Sequence, residues 1–178
     1  MNISIRKTTD SDLSDILRVE EEAFGYPKEA QLVDDLLNDP TAEPRLSLLA
    51  FEGDEAIGHI LFTAVKIEGN DITASILAPL AVVPKFQKKG VGGKLINAGI
   101  DFLREAGVSM VFVLGHPTYY PKYGFAPVHP HAINAPYPIP EEHRDAWMMQ
   151  ILDETAPDSI SGTVVVSDQL GKPEHWQE

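Results

Sequence analysis

The segment Lys85–Leu95, KFQKKGVGGKL, carries four lysines and three glycines without an acidic residue, in a chain whose formal net charge is −13. A strand-like segment precedes it, and a helix with an apolar face through Leu95–Ala106 follows it. The first backbone N–H groups of such a helix lack intrahelical partners, and the helix dipole adds partial positive charge there. Glycines let an anion approach this backbone closely, so the segment predicts a phosphate or pyrophosphate site.

The positive charge of this segment contrasts with an acidic chain. Between Ile72 and Pro140, six cations and two acids give +4, which leaves −17 for the remainder of the −13 total. A lysine run is as often a solvated face as a binding site, so charge alone does not decide between the two. The isoelectric point of about 4.7 argues against a surface built for nucleic acid.

Length and composition predict a single domain. The 178 residues, 43% of them hydrophobic, are enough to bury a sizeable core, and we expect one domain over residues 1–178. The chain has no cysteine, which excludes disulfides, thiolate metal ligands and an acyl-cysteine intermediate. The first twenty residues contain no apolar run typical of a signal peptide, and no stretch approaches the roughly 20 apolar residues that span a bilayer. We therefore expect a soluble, cytoplasmic protein without a membrane partner.

The N-terminal half is predicted to form a strand, two helices and an antiparallel meander. Thr9–Asp12 has the pattern of a capping box, which begins a helix that Gly25 ends. The turn sequences GDE and EGND separate three strand-like segments and predict hairpins between them. The predicted elements are a strand at Ile3–Ile5, helices over Thr9–Gly25 and Pro27–Asn38, and strands beginning at Leu46, Ala56 and Ile72.

A βαβ unit follows the meander. The strand from Ile72, the helix through Leu95–Ala106 and a buried strand at Ser109–Gly115 predict two parallel neighbouring strands. The proline-rich stretch Pro127–Pro140 predicts irregular loop. Closing strands are predicted at Ala146–Leu152 and Gly162–Ser167. The fold class is therefore α/β of the α+β type, with a mixed, mostly antiparallel sheet and a central parallel pair flanked by helices.

Spacing excludes two common nucleotide-binding loops. A P-loop needs glycine at Lys88 and Ser or Thr at Leu95, and the dinucleotide pattern also needs glycine at Leu95. No G-x-S-x-G sequence is present, so a serine hydrolase is unsupported. His129 and His131 lack the cysteines and acids of a complete ligand set, and no metal site is predicted.

Two motifs resemble those of the GNAT superfamily of N-acetyltransferases. Gln87–Gly92 has the form Q/R-x-x-G-x-G/A and is similar to the family's acetyl-CoA pyrophosphate loop. Tyr119–Phe125, YYPKYGF, resembles its later Y-x-x-x-G-F motif. The element order resembles the GNAT fold over a core of residues 3–125. The combination of AFG, LAPLAV and VLGHPTYYPKYGF looks most like the YhbS-like branch.

The resemblance implies acetyl-CoA as cosubstrate. Backbone groups of Leu80, Ala81 and Val82 would pair with the pantetheine arm as another strand does. In this fold the two central parallel strands splay apart to admit the cofactor, and Pro79 stands where such a break would begin. The residues implied around the pyrophosphate are Gln87, Lys88, Lys89, Gly90, Val91, Gly92, Gly93 and Lys94.

Catalytic roles are also implied by the resemblance. Tyr120 matches the tyrosine that GNAT enzymes commonly use as general acid toward the departing thiolate, and the alternative is an aromatic packed under a loop. The candidate bases are Glu22, within the acidic run Glu20–Glu22 near the acceptor pocket, and His116. The alternatives are a solvated charge run and a hydrogen-bonded loop histidine. His59 is more typical of a packed strand residue.

The sequence therefore predicts an acyl-CoA-dependent N-acyltransferase that moves an acetyl group to a small-molecule or peptide amine by direct attack in a ternary complex. Two alternatives stay open: a catalytically silent acyl-CoA sensor using the same loop, and a structural protein without a cofactor. Residues 126–178 match no motif, and we expect them to supply closing strands and acceptor-side loops. Closing strands of this kind often pair between subunits in the superfamily, which suggests a homodimer.

Overall fold

A computed structural model describes residues 1–129 and 131–177. The helices are α1 (Leu13–Phe24), α2 (Lys28–Leu37) and α3 (Val91–Glu105). The strands are β1 (Ile3–Lys7), β2 (Leu46–Glu52), β3 (Glu55–Ile67), β4 (Ala74–Val82), β5 (Met110–Leu114), β6 (Ala126–Pro127), β7 (Ile133–Asn134), β8 (Trp147–Ile151) and β9 (Gly162–Val165).

The residues that the sequence indicates stand at both ends of α1, and the capping box belongs to the short 3-10 turn Asp10–Asp12 that leads into the helix. The N–H of Thr9 donates to Oδ2 of Asp12 at 2.7 Å, which forms half of the predicted capping box. The guanidinium of Arg6 donates two hydrogen bonds to the same carboxylate, at 2.8 and 2.9 Å, and so ties β1 to the helix start. Gly25 ends the helix with φ +77, and its N–H donates to the carbonyl of Glu21.

The strands form a mixed sheet in the order β1-β2-β3-β4-β5-β8-β6, and β9 pairs with both β3 and β7. Strands β1 to β4 are antiparallel to one another, β4 and β5 are parallel, and β8 is antiparallel to β5. The predicted fold class is confirmed. The prediction of irregular structure over 127–140 missed β6 and β7, because strands of two residues leave no alternation to detect.

Helices cover both faces of the sheet. Neighbouring residues of a strand point to opposite faces, and Gly58 and His59 of β3 face different helices. A Cβ on Gly58 would meet side chains of Leu95 and Val91 in α3, whereas His59 contacts Glu20 of α1. Helix α1 therefore lies on the face opposite α3, and the apolar core fills both layers.

The parallel pair at the centre of the sheet is short. Strands β4 and β5 pair only from Ala74 with Met110 to Ile76 with Phe112. Beyond Ile76, β4 continues to Val82 along β3, while β5 continues to Leu114 along β8. The two strands therefore separate, and a gap opens in the middle of the sheet two residues before Pro79.

Candidate active site

The segment rich in lysine and glycine leads directly into α3. Nε2 of Gln87 donates to the carbonyl of Val82 at 2.8 Å and holds the loop against the end of β4. Gly90 stands at the helix N-cap with φ +87, and a Cβ there would meet no atom within 4 Å. Among the described residues, no side chain caps the first N–H groups of α3. The start of this helix therefore has the open geometry that anion binding requires.

The lysines around this helix start are solvated. Lys88, Lys89 and Lys94 are all exposed. The ammonium groups of Lys85 and Lys89 each lie 5.6 Å from the centroid of the buried Phe86 ring. These lysines create positive potential near the helix start, which salt in the solvent would screen.

Gly92 and Gly93 have a different role from Gly90. A Cβ on Gly93 would come within 2.5 Å of the Tyr123 ring, and one on Gly92 would overlap the hydroxyl of Tyr119. The two tyrosine rings contact each other, with centroids 5.3 Å apart. These two glycines therefore make room for aromatic packing, whereas the sequence pattern alone suggested that all three allow an anion to approach.

A cleft of about 620 Å³ lies where the central strands separate. One wall consists of β4 from Ile76 to Leu80 together with Val113 and Leu114 of β5. The turn after β5 adds His116 and Tyr120. The opposite wall comes from α1, α2 and the C-terminal segment, through Phe24, Lys28, Glu29, Leu32, Leu170, Glu174, His175, Trp176 and Gln177.

Tyr120 lies in the turn after β5 and lines this cleft. Its side chain packs edge-on against Tyr119 and Phe125, with centroids 5.1 and 5.7 Å away, and only 9% of the residue is exposed. Burial raises the pKa of the Tyr120 hydroxyl well above its usual value, so the phenol stays neutral at physiological pH. His116 is exposed at the same turn, and its carbonyl accepts the N–H of Tyr119 at 3.1 Å.

The acidic run of α1 divides between core and surface. Glu22 has half of its side chain exposed, pairs with Arg18 at 3.4 Å and does not line the cleft. Glu20 is fully buried, and its Oε2 lies 2.7 Å from Nδ1 of His59. The solvated-run alternative is therefore wrong for Glu20, because position 20 falls on the inner stripe of α1 beside Ile16 and Val19.

The pair of Glu20 and His59 continues along the same face of the sheet from β3 to β2. Nε2 of His59 lies 2.8 Å from Oγ of Ser47 on β2, so three side chains form one hydrogen-bonded chain. Burial raises the pKa of Glu20, since no solvent reaches its carboxylate. Ser47 is the second residue of β2 and is partly buried, and His59 is completely buried, so this chain has the setting of a structural network.

Sequence reasoning missed the wall of the cleft that α2 and the C-terminal segment form. Glu29 stands in the first turn of α2, where an acid is ordinarily explained by the helix dipole. His175 lies in the C-terminal segment, which matches no motif and reaches the cleft only through the fold. No local pattern could have linked these two residues, since 146 positions separate them in the chain.

The two histidines considered for metal binding have separate partners. His129 contacts Asp145, and Nδ1 of His131 lies 2.7 Å from Asp158. Over residues 1–129 and 131–177, no three His, Cys, Asp or Glu side chains form a cluster able to hold a metal ion. None of the helices described is long and apolar enough to cross a membrane.

Comparison with known proteins identifies the family. A profile of the acetyltransferase (GNAT) domain matches residues 4–128. The uncharacterized N-acetyltransferase YjhQ of Escherichia coli K12 is 51% identical over 164 residues, which cover 90% of each chain. YhbS of the same strain is 31% identical over 150 residues, covering 84% of this chain and 87% of YhbS. The chain therefore belongs to the GNAT acetyltransferase family of enzymes, and within it to the YhbS-like branch.

Solved structures extend the likeness beyond the residues of the family profile. The crystal structure of Escherichia coli YhbS in complex with CoA matches with a TM-score of 0.87 and 28% identity, over 97% of this chain and 93% of YhbS. A GNAT acetyltransferase from Brucella melitensis in complex with acetyl-CoA matches with a TM-score of 0.76 and 30% identity, over 95% and 98%. The fold of the C-terminal third is thus shared with these proteins.

Proposed function

We propose that residues 1–178 form one catalytic domain that transfers an acetyl group from acetyl-CoA to a primary amine by direct attack in a ternary complex. The observation that carries the proposal is the separation of β4 and β5 beyond Ile76 and Phe112, which forms a cleft lined by Tyr120. The similar proteins from Escherichia coli and Brucella melitensis were solved with CoA and acetyl-CoA, which supports the same cosubstrate here.

The free edge of β4 suits the pantetheine arm. Leu80, Ala81 and Val82 pair with β3 on one side, and in the described residues their other edge has no strand partner. A pantetheine amide can occupy this edge as a neighbouring strand does, because alternate N–H and C=O groups point into the cleft. The pyrophosphate is expected from the sequence on the N–H groups from Gln87 to Gly93 at the start of α3. The N–H of Gln87 already donates to the carbonyl of Pro84, which leaves those from Lys88 to Gly93 for the pyrophosphate.

Tyr120 is proposed to interact with the departing sulfur. A neutral amine attacks the thioester carbonyl, the C–S bond breaks, and the sulfur leaves as a thiolate while the new amide nitrogen loses a proton. The raised pKa of Tyr120 makes complete proton transfer to a thiolate uphill, since thiols ordinarily have a pKa of about 8.5. We therefore assign to the Tyr120 hydroxyl a hydrogen bond that stabilises the thiolate. The proton lost by the amide nitrogen then reaches the sulfur through this hydroxyl.

The acceptor is proposed to be a small-molecule or peptide amine that enters from the wall formed by α2 and the C-terminal segment. Of the two bases suggested by sequence, His116 lines the cleft and Glu22 does not, so Glu22 is not proposed as the base. Membership of the GNAT family supports a cytoplasmic location. Homodimer formation is the assembly that we propose on the basis of the superfamily, and light scattering would test it.

The test compares Tyr120→Phe with Tyr119→Phe and Tyr123→Phe. Loss of the Tyr120 hydroxyl should lower turnover by about 10- to 1000-fold and leave acetyl-CoA affinity unchanged, because the ring and its packing remain. The two control variants remove the same atom from neighbouring rings and should retain parental turnover. Free CoA released with a panel of amines gives the rate, and calorimetry gives the affinity. Equal rates in all three variants would refute the role of Tyr120, and acetyl-CoA binding without acylation of any amine would favour the sensor.

A further inference from the structure

Glu29 carries a shielded carboxylate oxygen in the wall of the cleft. Its Oε2 is inaccessible to solvent and accepts no hydrogen bond from any described residue. No salt bridge within 4 Å involves it among residues 1–129 and 131–177. An unpartnered buried carboxylate oxygen costs stability, so a native protein rarely holds one unless something else pairs with it.

The cleft around Glu29 is largely apolar. Phe24, Leu32, Leu170 and Trp176 line the same wall, and they lower the local polarity. Such a setting strengthens an ion pair with a ligand, because little water competes for the charge. The apolar wall also offers a contact surface for a hydrocarbon group.

Three further ionisable groups face this part of the cleft. Lys28 is the neighbour of Glu29 in the chain, and its side chain is exposed. His175 is mostly buried, and burial lowers its pKa, although the charges of Glu174 and Glu29 oppose that effect. Glu174 has 64% of its side chain exposed and lies 3.9 Å from His175. When His175 is neutral, no imidazolium lies beside Glu29. The carboxylate of Glu29 is then available to a cation of a bound ligand.

We propose that Glu29 binds the ammonium group of the acceptor and acts as its general base. The proton passes from the ammonium nitrogen to the Glu29 carboxylate, and the freed lone pair of that nitrogen attacks the thioester carbonyl. Glu29 later releases this proton to water. The substrate class is a compact primary amine with an apolar body, which fits a cleft of about 620 Å³ with an apolar wall. The inference rests on the proposed acetyl transfer at the same cleft.

The experiment uses the full chain saturated with CoA and 2-phenylethylamine hydrochloride as the probe, with ethanolamine as a polar amine of similar charge. Calorimetry should show that Glu29→Gln weakens 2-phenylethylamine binding at least tenfold, while acetyl-CoA binding stays within twofold. Glu22→Gln, which alters a half-exposed carboxylate on the neighbouring helix, should change neither. Ethanolamine should bind the parent protein more weakly than 2-phenylethylamine.

A thermal melt separates a functional from a structural role. Because Glu29→Gln replaces a carboxylate whose shielded Oε2 has no partner among the described residues with a neutral amide of the same shape, it should raise the melting temperature of the unliganded protein. A purely structural carboxylate would show the reverse, and a lower melting temperature with unchanged amine binding would overturn the proposal. Absence of 2-phenylethylamine binding to the parent protein would also overturn it. If acetyl-CoA does not bind, the proposed acetyl transfer is refuted. Titration of the unliganded protein with 2-phenylethylamine still decides whether Glu29 binds an ammonium group.

Discussion

At the scale of single residues, contacts decide roles that sequence patterns leave ambiguous. The three glycines of the α3 start look equivalent in sequence, yet only Gly90 has open space beyond its Cα. Gly92 and Gly93 lie under the rings of Tyr119 and Tyr123. The sequence predicted a helix after the glycine segment, but α3 begins at Val91, four residues before the first apolar position that the prediction named. It could not predict which aromatic ring, arriving from about thirty residues later, would occupy the space beside each glycine.

The contact between Gly92 and Tyr119 predicts a specific rescue. Gly92→Ala should lower the free energy of unfolding by about 1–3 kcal/mol, because its methyl group overlaps the Tyr119 hydroxyl. Adding Tyr119→Phe removes that hydroxyl and should recover most of the loss, helped by the better helix propensity of alanine. Urea denaturation of the single and double variants measures the coupling. Gly92→Ala with Tyr123→Phe is the control, and equal recovery in that variant would contradict the assigned contact.

At the scale of elements, the sequence predicted most of the order because each helix carries its own start and stop signals. The capping residues of α1 and the turn sequences of the meander act locally, and the structure places them as expected. Pro79 predicted a break or bulge: β4 runs unbroken from Ala74 to Val82, but its pairing with β3 shifts register between Leu77 and Leu80. The separation from β5 begins after Ile76, and no local pattern shows how far two strands from distant parts of the chain stay paired.

The ion pair at the start of α1 should make the protein sensitive to acid. Two hydrogen bonds from Arg6 hold the pKa of Asp12 far below its usual value. A depressed pKa stabilises the fold above the unfolded pKa of about 4, and this stabilisation is lost progressively as the pH falls below that value. Asp12→Asn should therefore lower the melting temperature at pH 7 by about 2–4 °C, equivalent to roughly 1 kcal/mol.

The difference between Asp12→Asn and the parent should narrow as the pH falls from 5 to 2, and thermal melts across this range will measure it. Asp15→Asn provides a control on the same helix, since its carboxylate is half exposed and lies 3.8 Å from Arg18. A difference that stays constant with pH would show that the charge of Asp12 contributes nothing to stability.

At the scale of the whole molecule, the C-terminal segment returns to complete the cleft. The N–H of Gln169 donates to Oδ2 of Asp39 at 3.0 Å, and Nε1 of Trp176 donates to the carbonyl of Leu170 at 2.9 Å. The Trp176 ring packs against Trp147 of β8, with centroids 5.8 Å apart. These contacts fix the segment by long-range packing, which explains why the sequence suggested an acceptor-side role for 126–178 without naming a residue in it.

Removal of residues 171–178 should separate cofactor binding from acceptor binding. The shortened protein loses the buried Trp176, and its free energy of unfolding should fall by about 3–5 kcal/mol. Acetyl-CoA affinity should persist at 15 °C, because β4 and the start of α3 remain. Acylation of amines should fall sharply, since the part of one wall that comes from Glu174 to Gln177 is gone. Trp176→Phe is the matched variant that keeps the segment in place, and a parental rate in the shortened protein would show that the segment takes no part in acceptor binding.

The free edge of β4 beyond Ile76 has a consequence for the lifetime of the protein in the cell. Among the residues that the structure describes, no strand pairs with the backbone amides from Leu77 to Val82 that face the gap, and their hydrogens should exchange with deuterated water when the gap is empty. A molecule that fills the gap would slow this exchange and reduce local opening, on which proteases depend. Degradation of the protein would then slow when acetyl-CoA is abundant and quicken when it is scarce, which would couple the amount of enzyme to the carbon supply of the cell.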